Sequence, residues 1–140
     1  MRTVSKTVIG VDFGTQSARA VLVNAENGEI IYSCRKEYPY NSTPVPAIDC
    51  AENLPCATDY EMTLYELLRN VIPEEYRKTV AGICIDATSL TMVLLAEDGR
   101  ALSELDGWSE AAHARVKLWK YHRAQEKADE ALNLASNLQE

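Results

Sequence analysis

Three β-type runs in the first 38 residues constrain the fold of this chain more than any other feature. Apolar, β-branched segments cover Val8–Val11 and Ala20–Val23, and Glu29–Tyr38 alternates between apolar and polar side chains. The dipeptide Asn27-Gly28 is typical of a tight hairpin turn. We therefore predict a three-stranded antiparallel meander whose first turn, Gly14–Ser17, is unusually polar.

Helical and strand patterns alternate in the rest of the chain. Thr58 and Glu61 have the spacing of a capping box before a stripe of apolar residues that ends at Pro73. A strand that ends in an aspartate and is followed by a polar turn and a second strand occurs twice, at Asp12 and at Asp86. Either a duplicated structural unit or two unrelated hairpins would produce this pattern. Residues 39–55 are interpreted as an irregular, proline-containing connection. The predicted elements are strands near 7–12, 19–25, 29–38, 80–86 and 91–96, and helices near 58–72 and 121–138.

Composition excludes several classes of protein. The 140 residues are 46% apolar and 25% charged, which is typical of one globular domain. No apolar stretch has the length of a membrane span or a signal peptide, so we expect neither membrane association nor secretion. The net charge of −7 disfavours nucleic acid as a partner. The four cysteines show no C-x-x-C spacing and are interpreted as reduced thiols of a cytoplasmic protein.

The segment Asp12–Ser17 is the candidate for chemistry. A strand delivers Asp12 to its carboxyl end, where a carboxylate can hold a divalent cation directly or through water. Gly14 permits a tight turn, and Thr15, Gln16 and Ser17 offer backbone and side-chain donors to phosphate oxygens. Neither G-x-G-x-x-G nor G-x-x-x-x-G-K-[ST] is present. A bland polar hairpin turn is the alternative interpretation of the same residues.

The wider sequence context favours phosphate binding. The segment IGVDFGTQSARAVLV resembles the first phosphate loop of the FGGY carbohydrate kinases, which belong to the actin-like, ribonuclease-H-like ATPase superfamily. The segments NGEII, TDY, GICIDATSLTMVLLAEDG and HARVKLWKYHRAQEKADEA follow in the family's order and look most like bacterial ribulokinases. The resemblance therefore covers almost the entire chain.

This resemblance implies an α/β fold, namely a ribonuclease-H-like half-domain with a mixed sheet, an antiparallel meander and flanking helices. It implies that residues 1–140 are the N-terminal part of the first domain of a longer two-domain enzyme. That enzyme would use ATP and Mg²⁺ to phosphorylate a ketopentose, most simply ribulose, in arabinose catabolism. The family's general base, an aspartate, would lie beyond residue 140, so we expect the chain alone to be inactive. A non-catalytic actin-like binding or structural module is the alternative.

The resemblance also assigns residues. It implies that the nucleotide phosphates contact Asp12, Gly14, Thr15, Gln16 and Ser17, with Asp12 on the Mg²⁺ side. A sugar pocket is implied by four further residues, which are Thr88, Ser89, Trp119 and Lys120. Relatives vary at the positions of Ala87 and Tyr121, which leaves the shape of the pocket and one polar contact open. Ribulose, ribitol and xylulose are not distinguished.

Several residues in and near the implied sugar pocket also have a purely structural interpretation. Asp86 can cap its own turn, and Trp119 can belong to the core. His122 fits a surface helix position, and Lys117 and Lys120 fit solvated charges. The apolar stripe of the last predicted helix, represented by Leu132, leads us to expect uncovered surface and self-association, unless that helix folds back on the sheet.

Overall fold

The computed structural model describes residues 4–39, 54–109, 111–119 and 125–137. The predicted connection at 39–55 and the start and end of the predicted last helix therefore lie largely outside the described residues. The elements, in chain order, are β1 (Thr7–Phe13), β2 (Ser17–Asn24), β3 (Ile30–Glu37), α1 (Ala57–Val71), β4 (Val80–Ala87) and α2 (Gln125–Asn137). Single turns of 3₁₀ helix lie at Glu74–Tyr76, Leu102–Glu104 and Ala112–Ala114.

The four strands form one mixed sheet in the order β3-β2-β1-β4. The first three strands are the predicted antiparallel meander, in which Val8 pairs with Val23 and Ala20 with Cys34. The chain then crosses through α1 and returns as β4, which pairs with β1 in parallel. This parallel pairing of residues 8–12 with 82–86 confirms the predicted α/β topology.

The core lies between α1 and the middle of the sheet. Alternate side chains of β1 and β2 point toward the helix, so Ile9, Val11 and Leu22 are buried. Leu67 and Val71, four residues apart on α1, close the cluster from the other side. This layer fixes the carboxyl end of β1 and the turn that follows it.

The loop between β2 and β3 contains the predicted turn. Gly28 has φ +76°, and its N–H donates to the Asn24 carbonyl at 2.9 Å. We expect Gly28→Ala to lower the free energy of unfolding by about 1 kcal/mol, because a side chain disfavours this left-handed backbone. Gly82→Ala in β4 is the matched control, since an added Cβ meets no atom within 4 Å at either position. Urea unfolding of both variants tests the prediction, and equal losses would contradict it.

Two sequence predictions for the chain after residue 55 are wrong. Residues 91–96 do not form a strand, because Met92 and Leu95 make isolated bridges, to Lys117 and Ala101 respectively, and no continuous ladder. The capping box does not use Thr58, whose hydroxyl donates to Glu104 at 2.8 Å. Instead, α1 begins one residue after Cys56, whose N–H donates to the Asp59 carboxylate at 2.8 Å.

Large apolar surfaces remain exposed outside the core. Ile83 and Ile85 on the edge strand β4 are 52% and 56% exposed, since α1 packs on β2 and β3. Every described side chain of α2 is exposed, and Leu132 is 68% exposed. Among the described residues α2 therefore does not fold back to bury its stripe. In the same part of the chain, no helix is long and apolar enough to cross a membrane.

Candidate functional site

The sharp turn between β1 and β2 forms the floor of the site. Asp12 lies near the end of β1, and the Gly14 N–H donates to the Ser17 carbonyl at 3.1 Å to close the turn. A Cβ added to Gly14 would lie 3.1 Å from that same carbonyl oxygen, so a larger residue would push the turn open. The predicted loop residues are therefore held together in one compact turn, at the end of the sheet where β1 meets β2.

A cavity of about 520 Å³ lies above this turn. It is lined by Gly14, Thr15, Gln16, Ser17, Arg19, Arg35 and Trp119. The described residues that line it carry two guanidinium groups and no carboxylate, in a chain whose net charge is −7. The cavity therefore has the charge and the hydroxyl donors of an anion-binding site.

Trp119, at the end of the described segment 111–119, contacts the turn. Its indole Nε1–H donates to the Thr15 hydroxyl at 3.2 Å, although the two residues are 104 positions apart in the sequence. The side chain is 58% exposed, so the core interpretation of Trp119 is wrong. The structure thus brings one predicted sugar-pocket residue directly to the predicted phosphate loop.

Asp12 is engaged in an ion pair. Arg19, its cross-strand partner, donates from Nη2 to the Asp12 carboxylate at 2.6 Å, and both side chains are substantially exposed. Within the described ranges, no group of three His, Cys, Asp or Glu side chains could hold a metal. A cation at Asp12 would therefore need water and ligand oxygens to complete its coordination, which is the usual arrangement for Mg²⁺.

An aromatic cluster supports the turn from below. The Tyr38 hydroxyl donates to the Gly14 carbonyl at 2.9 Å. Tyr60 of α1 packs against Tyr38, with ring centroids 4.9 Å apart, and against Phe13 at 5.9 Å. This cluster links the helix to the turn, and the sequence analysis did not identify it, because the three residues belong to different elements.

Burial in this cluster gives Tyr60 a testable pH dependence. Burial, together with the nearby Asp59 carboxylate, raises the pKa of Tyr60 from 10.0 to about 12. Between these values the unfolded chain binds fewer protons than the folded chain, so the free energy of unfolding falls as pH rises from 10 to 12. We expect Tyr60→Phe to lose less stability over this interval, as measured by urea unfolding at each pH. Identical losses in the two proteins would refute the assignment.

Thr88 and Ser89, two other predicted sugar-pocket residues, do not line the large cavity. Both the N–H and the hydroxyl of Thr88 donate to the Phe13 carbonyl, at 2.8 and 3.0 Å, so Thr88 ties β4 to the end of β1. Thr88 also lines a smaller cavity of about 220 Å³ beside Tyr60. Ser89 is exposed in the following turn, and Lys120 lies outside the described residues.

Asp86 lies beside Asp12 on the neighbouring strand. The two aspartates are register partners in the parallel pair of β1 and β4. The Asp86 carboxylate accepts from the Ala87 N–H at 2.9 Å, which is the local turn-capping role that the sequence analysis left open. Asp86 therefore stays close to the site without lining the large cavity.

Arg35 is a residue of the cavity that the sequence analysis did not identify. It lies on β3, and its Nε–H donates to the Ser17 hydroxyl at 2.9 Å. No motif marks this position. The available signal is the spacing of Arg35 and Glu37, which places two charged side chains on one face of the predicted third strand.

The fold is that of sugar kinases with the actin-like, ribonuclease-H-like ATPase architecture. The gluconate kinase and the ligand-bound xylulose kinase of Lactobacillus acidophilus each superpose with a TM-score of 0.68 at 21% sequence identity. Each comparison covers 96% of this chain and 24% of the kinase. No protein-family model matches the chain.

Within this class the chain is similar in sequence to proteins named ribulokinase. It is 40% identical over 126 residues to ribulokinase 1 of Staphylococcus saprophyticus, covering 86% of this chain and 23% of that protein. It is 34% identical over 141 residues to the ribulokinase of Mycolicibacterium smegmatis, covering 94% and 25% respectively. The chain thus spans about a quarter of the length of the curated relatives it matches. The resemblance to ribulokinase-like kinases is confirmed.

Proposed function

We propose that this chain is the phosphate-binding part of an ATP-dependent FGGY kinase that phosphorylates a ketopentose, most simply ribulose. The observation that carries this proposal is the cavity over the turn Gly14–Ser17, which is lined by the hydroxyls of that turn and by two guanidinium groups. The identity to proteins named ribulokinase supports the choice of sugar. A cytoplasmic location and a role in arabinose catabolism belong to the same proposal.

The loop residues divide the work of holding the nucleotide phosphates. The tight turn at Gly14 leaves room for a phosphate close to the backbone, and Thr15, Gln16 and Ser17 donate hydrogen bonds to its oxygens. The Asp12 carboxylate would hold Mg²⁺ through its oxygens, and its position near the end of β1 fits that role. When bound, Mg²⁺ neutralises charge that develops on the transferring phosphoryl group. Arg19, which pairs with Asp12 in this structure, would turn some of its guanidinium N–H groups toward a phosphate when the nucleotide binds.

Trp119 supports a sugar site next to the phosphates. Its exposed indole lies at the rim of the cavity while its N–H contacts Thr15, so a sugar packed on the ring would have a hydroxyl near the phosphate loop. Thr88, Ser89 and Lys120 complete the proposed sugar side. Domain assignment follows the same proposal, with residues 1–140 as the N-terminal part of the first domain of the kinase.

Binding without turnover is the expected behaviour of the 140-residue chain. We expect MgATP to shift the amide NMR signals of Gly14–Ser17 and to quench Trp119 fluorescence, because both line the cavity. We expect no phosphorylation of ribulose, since the described residues place no carboxylate inside the cavity to accept the sugar's proton. Unchanged loop signals at millimolar MgATP would favour the alternative, a non-catalytic actin-like module. Turnover that is abolished by Asp12→Ala would instead place the whole reaction in this chain.

Self-association is a further part of the proposal. The stripe on α2 that includes Leu132 is exposed, and so are Ile83 and Ile85 on the edge strand β4. Surfaces of this kind are covered in stable proteins, here by a second copy of the chain. We expect light scattering to show a dimer that Leu132→Glu dissociates, while Met62→Glu, at an exposed site on α1, leaves it intact. A monomeric mass at every concentration would reject this expectation.

A further inference from the structure

Arg35 contacts the phosphate loop from β3, although the predicted motif Asp12–Ser17 includes no residue of that strand. In the pairing of β2 with β3, Ser17 lies opposite Glu37 and Arg19 opposite Arg35. Because side chains alternate across a strand, these four residues share one face of the sheet. Arg35 is the diagonal neighbour of Ser17, and its Nε–H donates to the Ser17 hydroxyl at 2.9 Å.

Two arginines directly opposite each other need a reason, because like charges in a cross-strand pair destabilise a sheet. Arg19 is neutralised by Asp12 at 2.6 Å. Arg35 has a looser ion pair, with its Nη2 atom 3.8 Å from Glu37. Its guanidinium also lines the cavity over the loop. Each arginine is thus paired with a carboxylate, and the Arg35 guanidinium is the less tightly held of the two and the more readily drawn to an anion in the cavity.

We propose that Arg35 is a phosphate-positioning residue, which orients the Ser17 hydroxyl through Nε and binds a phosphate of the nucleotide through its remaining N–H groups. The guanidinium suits both tasks at once, since its donors are fixed in a planar fork. This inference rests on the proposed function and extends it to a residue outside the loop motif. It assigns to β3 a direct part in nucleotide binding.

The chain offers a matched control at the adjacent position. Lys36 carries the same charge on the same strand, but it points to the other face, where its Nζ atom lies 2.6 Å from the Glu66 carboxylate of α1. Arg35→Gln and Lys36→Gln therefore change the net charge equally, but they remove a positive charge from opposite faces of the sheet. Arg35→Lys keeps the charge and removes the fork.

The experiment measures the Kd of MgATP and of inorganic tripolyphosphate by isothermal titration calorimetry, with circular dichroism melts to confirm that each variant is folded. We expect Arg35→Gln to weaken both probes about tenfold, Arg35→Lys to weaken them less, and Lys36→Gln to change Kd by less than about twofold. We also expect the loop amide signals of Ser17 to shift in Arg35→Lys before any ligand is added, because the Nε–H contact is lost.

The outcomes separate this inference from the proposed function. Equal weakening by Arg35→Gln and Lys36→Gln would overturn the inference, because total charge would then explain the result. Weakening of MgATP without weakening of tripolyphosphate would also overturn it, since the contact would not be to phosphate. If the unmodified chain binds neither probe, the proposed function itself fails and the role of Arg35 fails with it.

Discussion

Asp12→Asn is expected to abolish the Mg²⁺-dependent part of ATP binding. With Mg²⁺ present, Kd should rise about tenfold, the equivalent of roughly 1.4 kcal/mol, because the carboxylate that holds the ion is gone. Without Mg²⁺, affinity should stay equal or increase, since the variant removes a negative charge and releases Arg19 from the 2.6 Å ion pair. Calorimetric titrations of ATP with and without Mg²⁺ measure both effects.

Asp98 provides a matched control for this change. Its carboxylate pairs with Arg100 at 2.7 Å, on an exposed turn away from the cavity residues, so Asp98→Asn breaks a similar ion pair and changes the charge equally. We expect its Kd values to match those of the unmodified chain. If Asp12→Asn keeps the full effect of Mg²⁺, the cation is not held at Asp12.

Leu67→Ala is expected to cause the largest loss of stability, about 3 kcal/mol. The Leu67 side chain is 1% exposed and packs from α1 onto the sheet residues Ile9, Val11 and Leu22. Truncation removes apolar contacts and leaves a cavity that the surrounding strands cannot fill. Urea unfolding followed by circular dichroism gives the change in free energy.

Leu132→Ala tests whether burial is the cause. This leucine lies on α2 with 68% of its surface exposed, so the same chemical change should alter the free energy of unfolding by less than about 0.5 kcal/mol in the monomer. Comparable losses at the two positions would show that α2 is packed against the core.

Local periodicity predicted the four strands and the two α-helices of the described residues. The predicted strand at 7–12 corresponds to β1 (Thr7–Phe13), and the predicted helix at 58–72 corresponds to α1 (Ala57–Val71). The strand predicted at 91–96 is absent, although residues 92–96 are all apolar. A strand needs a neighbour to bond along its length, and within the described residues this segment meets others at isolated positions.

The site was predicted only where its residues are contiguous in the sequence. The motif Asp12–Ser17 is contiguous, so its tight turn and hydroxyl donors were visible in the sequence. Arg35 comes to this motif through the register of the β2–β3 hairpin, and Trp119 through a contact with Thr15, which is 104 positions away in the sequence. Neither relation has a fixed spacing along the chain, so pattern analysis could not detect it.

Contiguous residues were thus sufficient to define the meander and the turn at Gly14, because hydrogen bonding and alternation act over a few positions. Tertiary structure decided which charges meet. Folding pairs Asp12 with Arg19, directs Arg35 to Ser17 and leaves Asp86 beside Asp12 with a local role. Electrostatic and hydrogen-bond partners depend on distances of a few ångströms between strands, and such distances exist only after the register of the sheet is set.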